Sequence, residues 1–191
     1  ADVRRFRVGG KAWYGGGADL TPYYLFDDDA KEFHEKYKAT CDAYDANPDG
    51  GEVYAACKKW CDDYFYIPAR KEHRGVGGVF FDDLENDKAC DALGGARVRD
   101  AESFTRAIAD EWLDSYLPIV DRRRESPYGG EQERWHHQRR GRYIEFNLLY
   151  DRGVRFGLDG GRIEAIMVSA PPRVRWDYDV QPESGSEEHR L

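Results

Sequence analysis

Along the first two-thirds of the chain, short apolar alternations give way to stripes at three- and four-residue steps. This is the change from strand to helix periodicity. Residues 3–8 and 11–15 read as short strands. Ala30, Phe33, Tyr37, Cys41 and Tyr44 then form one stripe and predict a helix over 31–45. Asp27, Asp28 and Asp29 precede it, where carboxylates favour the positive end of the helix dipole. Asn47-Pro48-Asp49-Gly50-Gly51 is a loop by composition. A second helix is predicted over 52–66, with Val53, Cys57, Trp60 and Tyr64 inward. After a charged, glycine-punctuated loop over 70–78, Val79-Phe80-Phe81 reads as a buried strand stopped by Asp82-Asp83. Residues 85–97 read as loop or short helix. The longest helix is predicted over 100–120, with Phe104, Ile108, Trp112, Tyr116 and Ile119 on one face and Pro118 ending or kinking it.

The pattern changes again in the last third. Residues 121–140 are dense in arginine and read as a solvated connector. Residues 142–150 alternate, with Tyr143, Glu145, Asn147 and Leu149 on one face and Ile144, Phe146, Leu148 and Tyr150 on the other. That predicts a central strand with one wetter face. Asp151-Arg152-Gly153 reads as a turn and 154–158 as the next strand. Asp159-Gly160-Gly161 reads as a hairpin turn leading into a partner strand over 162–169. Pro171-Pro172 ends it, 173–178 is a last extended piece, and 181–191 is a polar tail. Hairpin-linked strands with long helices between early and late strands give an α+β fold. The expectation is one domain over 1–191, a broad antiparallel β-sheet flanked by helices on both faces.

Composition narrows the function. A net charge of -8 and a pI near 5.2 argue against a general nucleic-acid binder, whose footprint is a basic field. There is no run of eighteen apolar residues, so no membrane-spanning helix is expected. Cys41, Cys57, Cys61 and Cys90 lack paired CxxC spacing and read as reduced core thiols. That fits a soluble protein of the cytosol or an organelle. The chain opens at Ala1 without Met and reads as a fragment, truncated at both ends.

The stretch richest in chemistry is Trp13-Tyr14-Gly15-Gly16-Gly17-Ala18-Asp19-Leu20-Thr21-Pro22. Its glycines let a ligand approach the backbone, its aromatics can form an apolar wall, and Asp19 can only accept hydrogen bonds once ionised, which suits an NH-rich ligand. A tight turn whose Asp caps a helix near Thr21 fits the same residues. Arg4 precedes the motif, Arg74 opens Arg-Gly-Val-Gly-Gly, and Arg162 follows Gly160-Gly161. An arginine beside glycines offers a fork of donors together with backbone N–H groups, which suits a carboxylate. Each arginine taken alone also fits an ordinary surface or ion-pair role. His34 is a weak candidate metal ligand, since a lone helix histidine lacks the companions a metal site needs, and no metal is expected.

These blocks, with Lys58-Lys59-Trp60-Cys61-Asp62-Asp63-Tyr64-Phe65, Arg74 through Leu84, Arg139 through Asn147, Tyr150-Asp151-Arg152-Gly153, Gly160 through Glu164 and Arg175-Trp176-Asp177-Tyr178, resemble in order the oxygen-dependent coproporphyrinogen III oxidase family. The resemblance implies oxidative decarboxylation of two propionates of coproporphyrinogen III to vinyl groups, giving protoporphyrinogen IX in haem and chlorophyll synthesis. It implies dioxygen as oxidant, no organic cofactor, and a homodimer built around residues 141–177. Asp19 matches the acid that holds the pyrrole N–H groups, and Arg74 an arginine implicated in activity. Asp2-Val3-Arg4 resembles a substrate-binding Asn-Val-Arg segment with Asp2 replacing Asn, and Gly160-Gly161-Arg162 a second such segment. The family's proton-donating histidine would lie ahead of Ala1, and Ala69 replaces another family histidine. A non-catalytic tetrapyrrole-binding fragment or paralogue, and an aromatic-rich carbohydrate module, are the rival readings.

Overall fold

The computed structural model describes residues 1–191, and its contacts divide the chain into two compact units. The first comprises Ala1–Thr21, Phe26–Phe65 and Gly75–Ser126. It is built on a three-stranded antiparallel sheet of β1 (Asp2–Val8), β2 (Lys11–Leu20) and β5 (Gly77–Leu84), in the order β1-β2-β5. Val8 pairs with Lys11 across a two-residue turn, Gly9-Gly10. Both glycines have positive φ, 56° and 83°, which is what a turn matching strand twist requires. β2 is longer than expected. It carries the glycine motif as regular strand, which overturns the tight-turn alternative for Asp19.

One face of the sheet builds the core. Tyr14, Ala18 and Leu20 of β2 and Val79, Phe81 and Leu84 of β5 pack with residues of α1 (Asp27–Tyr44), α2 (Glu52–Tyr64) and α3 (Ala101–Arg123). Phe33, Tyr37 and Cys41 of the α1 stripe are buried as expected, as are Val53 and Cys57 of α2. All four cysteines are free and buried. Asp29, in the first turn of α1, is buried and takes a two-pronged bond from Arg123 at 2.7 and 3.1 Å, with Arg122 at 3.0 Å. The N-terminus of α2 falls on Gly51, which has no side chain to cap it. Asp45, almost fully buried, reaches forward instead and accepts from Val53 N at 3.0 Å and from Asn47 N at 2.9 Å.

α3 follows its predicted course, capped by Asp100 accepting from Ser103 N. Pro118 lies inside it without ending it. Proline supplies no N–H for the Asp114 carbonyl one turn back, and the Lys36 ammonium takes that oxygen at 2.5 Å. Two members of the predicted inward face, Trp112 and Tyr116, stack on each other at the surface, 43% and 40% exposed. Ser115 and Ile119 take the inward positions.

The second unit comprises Pro22–Leu25, Tyr66–Arg74 and Pro127–Leu191. It holds a short hairpin, β3 (Tyr66–Ile67) with β4 (Glu72–His73), and α4 (Gly130–Leu149), α5 (Arg152–Leu158) and α6 (Ile163–Ile166). Here the strands expected over 142–150, 154–158 and 162–169 are helical, while the α+β class holds with a sheet of three strands. The reason lies in the pattern. Positions 142 and 146 share a strand face and are also about one turn apart on a helix, so alternation over a short run fits either period. The helix also brings Arg142 and Glu145 together at 3.4 Å, an i,i+3 pair. Asp151, expected in a turn, caps α5 by accepting from Val154 N at 2.6 Å. Gly160-Gly161 therefore links two helices rather than closing a hairpin.

Candidate functional site

Residues directly opposite in an antiparallel pair project on the same face. The register sets Asp2 against Gly17, Arg4 against Gly15, Gly17 against Phe80 and Asp19 against Gly78. Since Ala18 and Leu20 point into the core, Asp2, Arg4, Asp19 and Phe80 share the opposite face. The middle strand contributes no side chain at 15 or 17. A Cβ on Gly15 would collide with Asp82 Oδ1 and stand 3.2 Å from Arg4 Nε, and one on Gly17 would stand 2.8 Å from the Val79 carbonyl. Glycine here lets neighbours close over the strand.

Across that bare strip Arg4 lies over the Phe80 ring, 5.7 Å from its centroid, with Asp2 at 3.5 Å and Asp82 at 3.7 Å. Both separations exceed a hydrogen bond, and Arg4 Nε and Nη2 are buried without a hydrogen-bond partner. Burial raises the Asp2 carboxyl above its usual range. Arg4 opposes the rise, while Asp19 and Asp82 add to it. Trp60, Tyr64 and Phe65 close around Phe80, with Tyr64 stacked on it at 4.8 Å. Trp13, paired with Phe6 and stacked on it at 5.5 Å, supplies an aromatic wall, whereas Tyr14 enters the core. The face thus offers a carboxylate, Asp19, a guanidinium, Arg4, whose Nη1 edge lies toward Asp2, and aromatic sides. Such a set suits a ligand with N–H groups and carboxylates.

Val3 behaves differently from its neighbours. It pairs with Gly16 and faces the other side, where it lines a cleft of about 370 Å³ with Arg5, Tyr14, Glu102, Arg106 and Asp110. The Tyr14 hydroxyl donates to Glu102 at 2.7 Å there.

In the second unit Arg74 is buried, and its guanidinium lies between the rings of Tyr143 and Phe146, 5.2 and 5.1 Å from their centroids. Glu72 accepts from Arg139 at 3.0 Å and from Arg142 at 3.1 Å, both arginines being almost fully buried. Arg70 bonds Glu145 at 2.6 and 3.0 Å. Burial lowers the Arg139 guanidinium from its ordinary value, with Glu72 opposing. The solvated reading of 121–140 therefore fails at Arg139, and Glu72 was missed because nothing local in the sequence announces its partners. The helical spacing of Arg139, Arg142 and Phe146 was the one available signal. Gly160, Gly161 and Arg162 stand exposed on the link between α5 and α6, with Arg162 at the α6 N-terminus.

His34 has both ring nitrogens occupied. The Val76 carbonyl can only accept, so Nε2 donates to it at 3.0 Å, and Nδ1 accepts from the Tyr54 hydroxyl at 3.1 Å. Burial, the largest influence, lowers its pKa and favours this neutral form. His34 is a packed, hydrogen-bonded residue here, and no cluster of three or more metal-ligating side chains is formed. No helix is long and apolar enough to cross a membrane.

The chain is 51% identical over 180 residues to the chloroplastic oxygen-dependent coproporphyrinogen-III oxidase of Hordeum vulgare, and 49% identical over 180 residues to that of Glycine max. Each alignment covers 94% of this chain but only 42% and 43% of the respective relative, so the chain spans less than half the length of these curated relatives. The sequence profile described as coproporphyrinogen III oxidase matches residues 1–191, and on that full-length match the chain belongs to the coproporphyrinogen III oxidase family.

Proposed function

We propose that this chain forms the substrate-facing part of an oxygen-dependent coproporphyrinogen III oxidase. The observation that carries the reading is the glycine-paved sheet face that Asp19 and Arg4 share on adjacent strands, Arg4 level with Gly15, four residues before Asp19 along the middle strand. The substrate is a reduced tetrapyrrole with N–H groups at its centre and propionates at its rim. Asp19 accepts from the N–H groups and stabilises the positive charge that develops on the pyrrole as it is oxidised. On this face Arg4 holds a propionate, with the backbone of Asp2 and Val3 beside it, which fixes the group to be lost. In the second unit Arg74, Gly160, Gly161 and Arg162 are candidate propionate-binding residues on the strength of the resemblance. At each reacting propionate the bond to the carboxylate carbon breaks and its electron pair becomes the vinyl double bond. The adjacent hydrogen leaves with two electrons to dioxygen, which takes one further proton and becomes hydrogen peroxide, with carbon dioxide released. Dioxygen is the co-substrate, and no organic cofactor enters the balance.

The assembly we propose is a homodimer, and the chloroplastic relatives support a plastid location. The test uses the longer protein and its Asp19→Ala variant, following oxygen uptake and the vinyl product. The expected result is a fall in kcat of about 10²- to 10³-fold, the scale for losing a preorganised electrostatic group. A variant as active as the parent would remove Asp19 from the mechanism. Binding of the porphyrinogen without turnover by the parent itself would replace the oxidase with a tetrapyrrole-binding role.

A further inference from the structure

Resting on the reading of Arg4 as a propionate clamp, we propose that Asp82 is the positioning residue that sets the guanidinium of Arg4 from across the middle strand. Arg4 is on β1 and Asp82 on β5, so two inter-strand spacings, about 10 Å of sheet, separate their backbones. Their side chains nonetheless come within 3.7 Å, because Gly15 leaves the space between them empty. Asp82 itself is fixed. It sits where the β2–β5 register slips, Tyr14 facing Leu84 and Gly16 facing Phe81, which gives β5 one extra residue. Asp83 in that bulge has a φ of 55°, and its N–H donates to Asp82 Oδ1 at 3.1 Å. The Asp82 carbonyl accepts from the Cys90 thiol at 3.5 Å.

The guanidinium is thereby presented edge-on. Its Nε and Nη2 are buried over Phe80 and Gly15, with Asp82 as the charge facing Nη2, while Nη1 lies 3.5 Å from Asp2, whose side chain is 56% exposed. Asp82 neutralises the buried edge and holds the fork in one orientation, leaving the outer edge for a ligand carboxylate. A bulge is a common device for re-aiming a side chain beside a site, and this one aims a carboxylate across its neighbour. Asp82 touches no reacting atom in this arrangement. Its effect on the reaction passes through Arg4 alone.

The test measures KM and kcat for coproporphyrinogen III, with the thermal midpoint alongside, in the longer protein and three variants. Asp82→Asn removes the charge and keeps the shape. Gly15→Ala keeps the charge, displaces the Asp82 carboxylate and also crowds Arg4 Nε at 3.2 Å, so it is read only beside Asp82→Asn. Arg4→Gln removes the clamp. The expected result is a KM raised about three- to five-fold in both Asp82→Asn and Gly15→Ala, the scale of a half-exposed ion pair that is not hydrogen-bonded, with kcat held within about two-fold. A KM that stays at the parent value in Asp82→Asn while Arg4→Gln raises it overturns the role of Asp82 and leaves the clamp standing. A KM insensitive to Arg4→Gln overturns the clamp and the inference with it. A lowered thermal midpoint and kcat with KM unchanged shows a purely structural aspartate and also overturns the inference. If Gly15→Ala fails to fold, Asp82→Asn alone decides.

Discussion

Asp45→Ala isolates a cap that the helix it serves does not own. The N-cap of α2, Gly51, has no side chain, and the carboxylate that completes the first turn comes from eight residues before Val53. Removing it strands two backbone N–H groups, Val53 N in a buried setting and Asn47 N in a half-buried one. A hydrogen bond to a charged group contributes about 1.5 kcal/mol, so the pair accounts for about 3 kcal/mol. A carboxylate at the positive end of a helix adds about 0.5 kcal/mol more. The expected loss is therefore about 3–4 kcal/mol. Asp45→Asn keeps one acceptor and turns an N–H₂ toward the other amide, so it is expected to lose about half as much. Urea unfolding followed by tryptophan fluorescence gives the stability, and amide hydrogen exchange gives the place. Val53 and the first turn of α2 are expected to lose protection before the rest of the helix. A variant within about 0.5 kcal/mol of the parent, with Val53 N still protected, refutes the reasoning, since that is the range of surface substitutions away from such features.

Two further outcomes test other parts of the structure. Glu72→Ala is expected to destabilise by about 3 kcal/mol, because it leaves Arg139 and Arg142 buried without their shared carboxylate; Glu72→Gln, which keeps an acceptor, is expected to cost less, and urea midpoints compare the two. His34 has its pKa lowered in the folded state from an ordinary value of 6.5, so the unfolded chain binds the proton more readily. The stability this residue contributes is therefore present above about pH 6.5 and is lost as pH falls through the folded value. A urea midpoint with the same pH dependence between 7 and 5 in the parent and in His34→Gln refutes that assignment.

The parts of the fold that could be read in advance are those where local chemistry and long-range packing agree. The α1 stripe, the long helix starting near Asp100 and the strand through Phe80 and Phe81 each announce themselves within ten residues or so, and the fold keeps them. The C-terminal third could not be read this way, since its alternation satisfies two periods and only tertiary partners, such as Arg70 for Glu145, favour one. Trp112 and Tyr116 fit the helical stripe of α3 but sit on its edge, where one step of rotation gives the interior to Ser115. In the candidate site, Arg4 and Asp19 were legible from their nearness to glycines. Asp82 as the neighbour of Arg4 was not, because its approach depends on a register slip between β2 and β5 that no local pattern encodes.

Where a central strand lacks side chains, the ionisable groups on either bank stop being independent. Asp2 and Asp82 flank Arg4 at 3.5 and 3.7 Å, so a substitution at any one of the three changes the charge the other two face. Single substitutions among them will not sum to the effect of double ones. The smallest experiment that can apportion their contributions is a thermodynamic cycle with two of them changed together.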